Sequence, residues 1–199
     1  MRQKKLKFVS REMLFEQGVY EHVPKINLDK PIHMEIGSGK GQFICRLAKD
    51  NPNIQFIAVE MNMSVCYRIL EKKINMHLDN LIIILANIET LFEEFPRHTI
   101  DRIYLNFSDP WPKARHHKRR LTYPRFIKNY LAMLKNDGIL QFRTDHLDFF
   151  NDSLEYLEPF FKKMNIDRNL KESNYMTEYE EKKRKFGPIY QVIAEVNND

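Results

Sequence analysis

The sequence predicts an α/β fold in which a mostly parallel sheet carries helices on both faces. Three observations support that class. Short β-rich apolar runs alternate with longer amphipathic stretches, and a glycine-rich turn follows the first run and opens a helix. The length of 199 residues suffices for a real core but is close to that of one ordinary domain, and neither repeats nor a low-complexity linker divide it. The expectation is therefore a single domain over 31–199, preceded by a basic, partly mobile extension over 1–30 in which Pro24 and Pro31 bound a polar stretch.

Taken in order, the first strand is His33–Ile36, and the helix after the glycine turn is Gln42–Asp50. Gln55–Glu60 is a second strand. In Met63–His77 the apolar positions Val65, Ile69, Leu70 and Ile74 recur at helical spacing, and the methionines around them read as packing. Strands follow at Leu81–Leu85 and Arg102–Phe107. Helix Tyr123–Lys135 ends in Asn136-Asp137-Gly138, whose turn chemistry hands over to a strand at Ile139–Arg143. A helix over Asp148–Lys163, a weaker strand near Ile166–Asn169 and a last strand at Tyr190–Val196 complete the set.

Charge narrows the class of partner. The 32 Lys and Arg outnumber the 27 Asp and Glu, a formal net charge of +5, so the excess is local and its position matters. The cations concentrate at Arg2 to Lys7, Arg115 to Arg120 and Lys182 to Lys185, each either a solvated face or a polyanion contact. Cys45 and Cys66 are too far apart in sequence for a C-x-x-C pair and read as reduced core residues of a cytoplasmic protein. The seven His show no metal-ligand spacing, so no metal is expected. No stretch has the length of a membrane span.

Two segments carry chemistry. Glu35-Ile36-Gly37-Ser38-Gly39-Lys40-Gly41 stands at a strand end, where glycines allow a tight turn and close approach of a ligand to the backbone. It is not the dinucleotide fingerprint, because Gln42 occupies the place of that motif's last glycine. It is not a phosphate-binding P-loop, because Gly41 follows Lys40 where Ser or Thr is needed. Glu60, at the end of the second strand, can accept hydrogen bonds from both hydroxyls of a ribose, and Asn87, past the third strand, can meet an adenine edge. The second segment is Ser108-Asp109-Pro110-Trp111-Pro112-Lys113, which holds the only Trp and leads into the cationic run Arg115-His116-His117-Lys118-Arg119-Arg120. A carboxylate can bond a base edge, an indole can stack on its face and cations can hold phosphates, so this segment points to RNA.

The acidic-x-Gly-x-Gly-x-Gly loop resembles the first motif of class I S-adenosylmethionine-dependent methyltransferases. From about Met34 onward the chain resembles the bacterial tRNA (guanine-N7)-methyltransferase family. The resemblance rests on four blocks in order: Glu35 to Phe43, Asn106 to Lys113, Arg143-Thr144-Asp145 and Thr177-Glu178-Tyr179-Glu180. It implies a Rossmann-like methyltransferase fold with a seven-stranded sheet, S-adenosylmethionine as cofactor, tRNA as partner, and methyl transfer to N7 of the variable-loop guanine at tRNA position 46. It implies that Glu35, Gly37, Gly39, Glu60, Asn87 and Asp109 line the cofactor site. It further implies that Lys113, Asp145, Thr177, Glu178, Tyr179 and Glu180 face the substrate, while Arg115, His116, His117, Lys118, Arg119 and Arg120 contact RNA. The chain departs from the family pattern at Asn87, where many relatives carry Asp.

Guanine N7 has a lone pair and no proton, so attack on a sulfonium methyl group needs no general base. Alignment is the main task, worth roughly 7–11 kcal/mol in well-oriented systems. A carboxylate near the purine favours the positive charge arriving there, and Asp109 is the first candidate for that catalytic role. Asp109, Asp145 or Glu180 can accept from guanine N1–H and N2–H₂, and the residues alone leave that choice open. Lys113 suits O6 or a phosphate, since a bond to N7 would occupy the nucleophilic lone pair. Thr177 followed by Glu180 is also a capping-box pattern, and Arg143-Thr144-Asp145 also fits an ordinary strand exit. Two other functions fit parts of the pattern: an exocyclic-amine methyltransferase, although the paired prolines of its motif are missing, and a non-catalytic RNA-binding module with a vestigial pocket.

Overall fold

The computed structural model describes residues 6–196, so Arg2 to Lys5 of the basic N-terminal cluster lie outside the described residues. Seven strands form a mixed sheet, and the chain divides into two compact units between Phe95 and Pro96.

In the first unit, β1 (Ile32–Ile36), β2 (Gln55–Glu60) and β3 (Leu81–Leu85) pair in parallel in the order β3-β2-β1. Phe56 and Ala58 of β2 join Leu81, Ile83 and Leu85 of β3 in one apolar cluster, while the alternate residues Ile57, Val59 and Ile84 are buried as well. Burial of both faces explains why these strands read as unbroken apolar runs. Helices α2 (Gln42–Asp50) and α3 (Met63–Met76) supply Ile44, Cys45, Ala48, Cys66, Ile69 and Leu70 to that cluster. Both cysteines are free and buried, and burial pushes each thiol up to about 12. The Asn80 amide donates to the carbonyls of Ala48, Asn51 and Ile54 at 2.9–3.0 Å, which serves the otherwise orphaned end of α2.

Residues 6–30, expected to be an extension, contribute to this core. The short helix α1 (Arg11–Glu16) is capped by Ser10, whose Oγ accepts the Met13 N–H at 3.2 Å. Val9, Leu14 and Val19 enter the apolar cluster, and Tyr20 exchanges backbone hydrogen bonds with Ile83 and Leu85 beside β3. The apolar residues here fall in short clusters, Phe8-Val9 and Met13-Leu14-Phe15, without a sustained helical or strand period, so the sequence carries no clear signal for this packing.

In the second unit, β4 (Ile100–Asn106) pairs in parallel with β5 (Leu134–Thr144), and β7 (Tyr190–Glu195) runs antiparallel between β5 and β6 (Lys163–Asp167). Helix α4 (Pro124–Met133) begins with its proline, and α5 (Leu147–Leu157) buries Phe149 and Phe150, whose rings lie 5.0 and 6.3 Å from that of Phe142 on β5. The last helix, α6 (Glu178–Lys183), precedes β7.

Several expected boundaries in this unit move, among them the strand expected near Ile166–Asn169, which lies at Lys163–Asp167. Asn136-Asp137-Gly138 does not separate helix from strand, because β5 starts at Leu134 and these residues form an irregularity inside it. Register passes from Ile100↔Leu134 to Arg102↔Ile139, and a Cβ at Gly138 would lie 2.9 Å from the Lys135 carbonyl oxygen. The turn chemistry is thus spent on a bulge. Helix α5 stops at Leu157 instead of continuing to Lys163: Glu158 keeps helical backbone and donates to the Leu154 carbonyl, but Pro159 has no N–H to carry the ladder further.

Candidate active site

Glu35, Glu60 and Asn87 all stand at the carboxyl end of the first unit's parallel strands, where open α/β sheets receive ligands. Between Glu35 and α2 the chain turns at Gly37, Gly39 and Gly41, with φ of 74°, 54° and 77°. The Gly37 and Ser38 N–H groups both donate to the Val59 carbonyl, at 2.8 and 3.1 Å, so the loop folds over the end of β2. A Cβ built at Gly37 or Gly39 meets nothing within 4 Å, so the space above those two residues is open. At Gly41 the same atom would lie 2.9 Å from Ile69 Cγ2, and that glycine serves packing of the loop on α3.

Glu60 ties this loop down. Its Oε2 accepts the Gly39 N–H at 2.9 Å and its Oε1 accepts the Asn62 N–H at 2.8 Å. Burial raises the carboxyl above the usual carboxylate range, against the pull of the backbone N–H groups of Asn62, Gly39 and Met61. Each oxygen still has acceptor capacity, since a carboxylate offers about four lone-pair sites. Asn62 also caps α3, its Oδ1 accepting the Val65 N–H at 3.2 Å. An Asn ahead of a helically periodic run is a visible N-cap signal, and Asn62 is legible on that ground. Glu35 is buried, whereas Asn87 is exposed and accepts the Glu89 N–H at 3.2 Å.

In the second unit, Asp109 follows the carboxyl end of β4 and Asp145 follows that of the adjacent, parallel β5. Asp109 is exposed, as is Lys113, whose carbonyl accepts the His116 N–H at 2.7 Å at the start of the 3₁₀ helix Ala114–Arg119. Phe107 and Trp111 have positive φ, 52° and 42°, a backbone state bulky side chains rarely adopt and one that clusters at ligand-holding turns. The segment then folds onto itself. The Arg119 guanidinium lies 5.0 Å from the Trp111 ring centroid, and the His116 ring meets that indole edge-on at 5.8 Å.

The cationic run is not uniform. Arg115, Lys118 and Arg119 are exposed, and His116 and His117 half-buried. Arg120, expected to contact RNA, is 2% exposed and committed inward: Nε donates to the Pro110 carbonyl at 2.7 Å, Nη1 to Asp152 Oδ2 at 2.5 Å, and the group lies 4.9 Å from the Phe149 ring centroid. Its assignment as an RNA contact is therefore corrected to a strut that fixes the Asp109–Trp111 turn. The partner Asp152 lies on α5, beyond any local sequence signal.

A second correction concerns Glu180. Thr177 caps α6 as the capping-box pattern predicts, its Oγ1 accepting the Glu180 N–H at 2.9 Å. Glu180 itself is fully buried, with Oε2 taking Arg143 Nη1 at 3.3 Å and Oε1 taking Arg184 Nη2 at 2.5 Å. It presents no surface to a base. Glu178 is the first residue of α6, and Tyr179 next to it is 43% exposed, with its ring 5.2 Å from that of Phe107. The Tyr179 hydroxyl donates to Asp145 at 3.3 Å and Lys183 Nζ stands 3.2 Å from Asp145 Oδ2. Burial raises the Tyr179 phenol, while the bonds to Tyr179 and Asp145 raise the Lys183 ammonium. Among the described residues no group of three or more His, Cys, Asp and Glu is placed to hold a metal, and no helix is long and apolar enough to cross a membrane.

Comparison with known proteins places these features in context. A family model described as "Putative methyltransferase" matches residues 29–191. The tRNA (guanine-N(7)-)-methyltransferase of Lactiplantibacillus plantarum is 43% identical over 171 residues, covering 83% of this chain and 80% of that one. The protein of the same name from Staphylococcus aureus is 45% identical over 175 residues, covering 85% and 82%. Among solved structures, the 16S rRNA methyltransferase KamB superposes with a TM-score of 0.65 at 15% identity, covering 98% of this chain and 97% of its own. An antibiotic-related methyltransferase gives 0.63 at 19% identity, covering 90% and 98%. At those identities the structural likeness speaks for the fold.

Proposed function

The chain belongs to the tRNA (guanine-N7)-methyltransferase family, and from that membership we propose that it transfers a methyl group from S-adenosylmethionine to N7 of the variable-loop guanine at position 46 of tRNA, in the cytoplasm. The observation that carries the reading is the open glycine turn of Gly37 and Gly39 bonded to the buried Glu60 carboxylate. That donor set fits an adenosyl ligand: the turn leaves room for close approach, and the Glu60 oxygens keep lone pairs for two ribose hydroxyls. Glu35 lines the same strand end, and the Asn87 amide both donates and accepts, which suits an adenine edge.

When bound, S-adenosylmethionine supplies a methyl group on positively charged sulfur. The remaining work is that of the chain. Guanine N7 needs no deprotonation, so the protein's residues act by holding the base in line and by shaping charge. Asp109 provides a carboxylate that favours the positive charge arriving on the purine. Asp145, steadied by Tyr179 and Lys183, accepts from the guanine N1–H and N2–H₂ edge. Lys113 is directed to O6 or a phosphate, Thr177 and Glu178 flank the base-reading residues, and Arg115, His116, His117, Lys118 and Arg119 meet the RNA backbone. Incubation with methyl-labelled cofactor and an unmodified tRNA transcript, followed by nucleoside analysis, tests the proposal. Label in 7-methylguanosine, abolished when guanine 46 of the transcript is replaced by adenine, is the expected result, and label on another atom overturns it.

A further inference from the structure

The buried carboxylate of Glu180 lies between two guanidinium groups, and each of these reaches onward to backbone. Arg143, at the end of β5, donates through Nε to Gln191 Oε1 on β7 at 2.7 Å and through Nη1 to the Tyr175 carbonyl at 3.0 Å, besides Glu180. Arg184, just past α6, donates to the Leu170 and Lys171 carbonyls at 2.6 and 3.1 Å, and twice to Glu180 Oε1. The segment between β6 and α6 forms no strand; besides these bonds, the Leu170 N–H donates to the Ile189 carbonyl at 2.8 Å and Arg168 Nη1 to Asn151 Oδ1 at 3.0 Å, so the two guanidinium groups supply a large share of its attachment. It ends at Thr177 and α6, whose Tyr179 and Lys183 hold Asp145.

We infer that Glu180 is a positioning residue: with Arg143 and Arg184 it forms a buried clamp that seats Thr177, Tyr179 and, through Tyr179 and Lys183, Asp145, without touching the base. The inference rests on the reading of this unit as the guanine-binding side. It also adds Arg143 and Arg184 to the residues on which the reaction depends. Taking the charge from Glu180 leaves two cations facing one another in a site closed to water, which drives the clamp apart. Displacing a substrate-holding group by about 1 Å costs about 100-fold in rate, so the effect should fall on turnover.

The test uses full-length Glu180→Gln, Arg184→Gln and Arg184→Lys proteins. Methylation kinetics on a tRNA transcript, calorimetric binding of S-adenosylmethionine, and amide hydrogen exchange across residues 168–177 are measured for each. Glu180→Gln and Arg184→Gln should both lower kcat about 10- to 100-fold, with a smaller change in KM, leave cofactor affinity within about twofold, and speed exchange in the segment about tenfold or more. Arg184→Lys, which keeps the charge but loses the fork, should recover part of kcat. If Glu180→Gln loses activity while Arg184→Gln and segment exchange stay at the wild-type level, Glu180 contacts the base and the inference falls. It falls equally if exchange rises with kcat intact, or if nothing changes. Should Glu180→Gln fail to fold, the two Arg184 variants at the edge of the clamp decide alone. Wild-type protein that leaves guanine N7 unmethylated would instead defeat the functional reading, and the exchange measurements would still report whether the clamp holds the segment.

Discussion

Replacing Arg120 by Ala should unfold the protein more readily without touching its electrostatic grip on RNA, and replacing its neighbour Arg119 should do the reverse. Arg120→Ala leaves the Pro110 carbonyl without its donor and Asp152 without its guanidinium, with the His117 ring left near it, at 3.9 Å. Breaking a fully buried pair costs about 3–5 kcal/mol; Asp152 keeps 34% of its side chain in water, which screens the loss to roughly 2–4 kcal/mol. For a chain of this size that is a fall in Tm of roughly 4–16 °C. The Arg119 side chain is exposed, so Arg119→Ala should change stability by less than about 1 kcal/mol, the worth of an exposed cation–π contact. It should reduce the salt dependence of tRNA binding by about 0.7–0.9 slope units for one lost phosphate contact. Thermal melts and titrations of tRNA over a range of salt concentrations separate the two. An Arg120→Ala protein with wild-type Tm and a flattened salt slope would refute the reasoning.

Gly41→Ala should cost about 2–5 kcal/mol in urea unfolding, summing about 1–2 for left-handed backbone and about 1–3 for the clash with Ile69, and a loss under about 1 kcal/mol would contradict it. Glu60→Ala should weaken S-adenosylmethionine binding by at least about 1.5–3 kcal/mol, read by calorimetry, since the acceptor for ribose and the tether of Gly39 go together. Because burial raises the Glu60 carboxyl, its neutral form accumulates on acidification before ordinary carboxylates titrate. Cofactor affinity should then fall as pH drops through that raised value, while this group's contribution to apo stability is present at low pH and lost as pH rises through it; calorimetry and melts at matched pH check the opposed trends. Asp109→Ala should lower turnover roughly 100-fold or more with tRNA affinity little changed, and steady-state kinetics with normal kcat would remove its catalytic role.

The elements legible in the sequence are those whose signals are local. Strands β2 and β3 and helix α2 fall at the expected residues because apolar runs buried on both faces, and a helix opening at a glycine turn, declare their own bounds. The place of Glu60 at a strand end was legible for the same reason. What escaped depends on partners distant in sequence. Nothing near Arg120 distinguishes it from Arg119, because the Asp152 that draws it inward lies 32 residues away. Glu180 reads as one more charge in an acidic helix start until Arg143, 37 residues earlier, closes on it. Likewise Val9, Leu14 and Val19 count as core only once β3 is beside them.

The antiparallel placement of β7 against β5 has a consequence for the chain during its synthesis. One edge of β5 waits for a partner about 50 residues further on, which at ribosomal rates of about 5–20 residues per second is an interval of about 3–10 s. For that time a row of backbone donors and acceptors beside Leu140 and Phe142 invites pairing with neighbouring nascent chains. Yield in the cell should therefore depend on elongation speed and on chaperones that shield strand edges, even where the finished enzyme is fully stable.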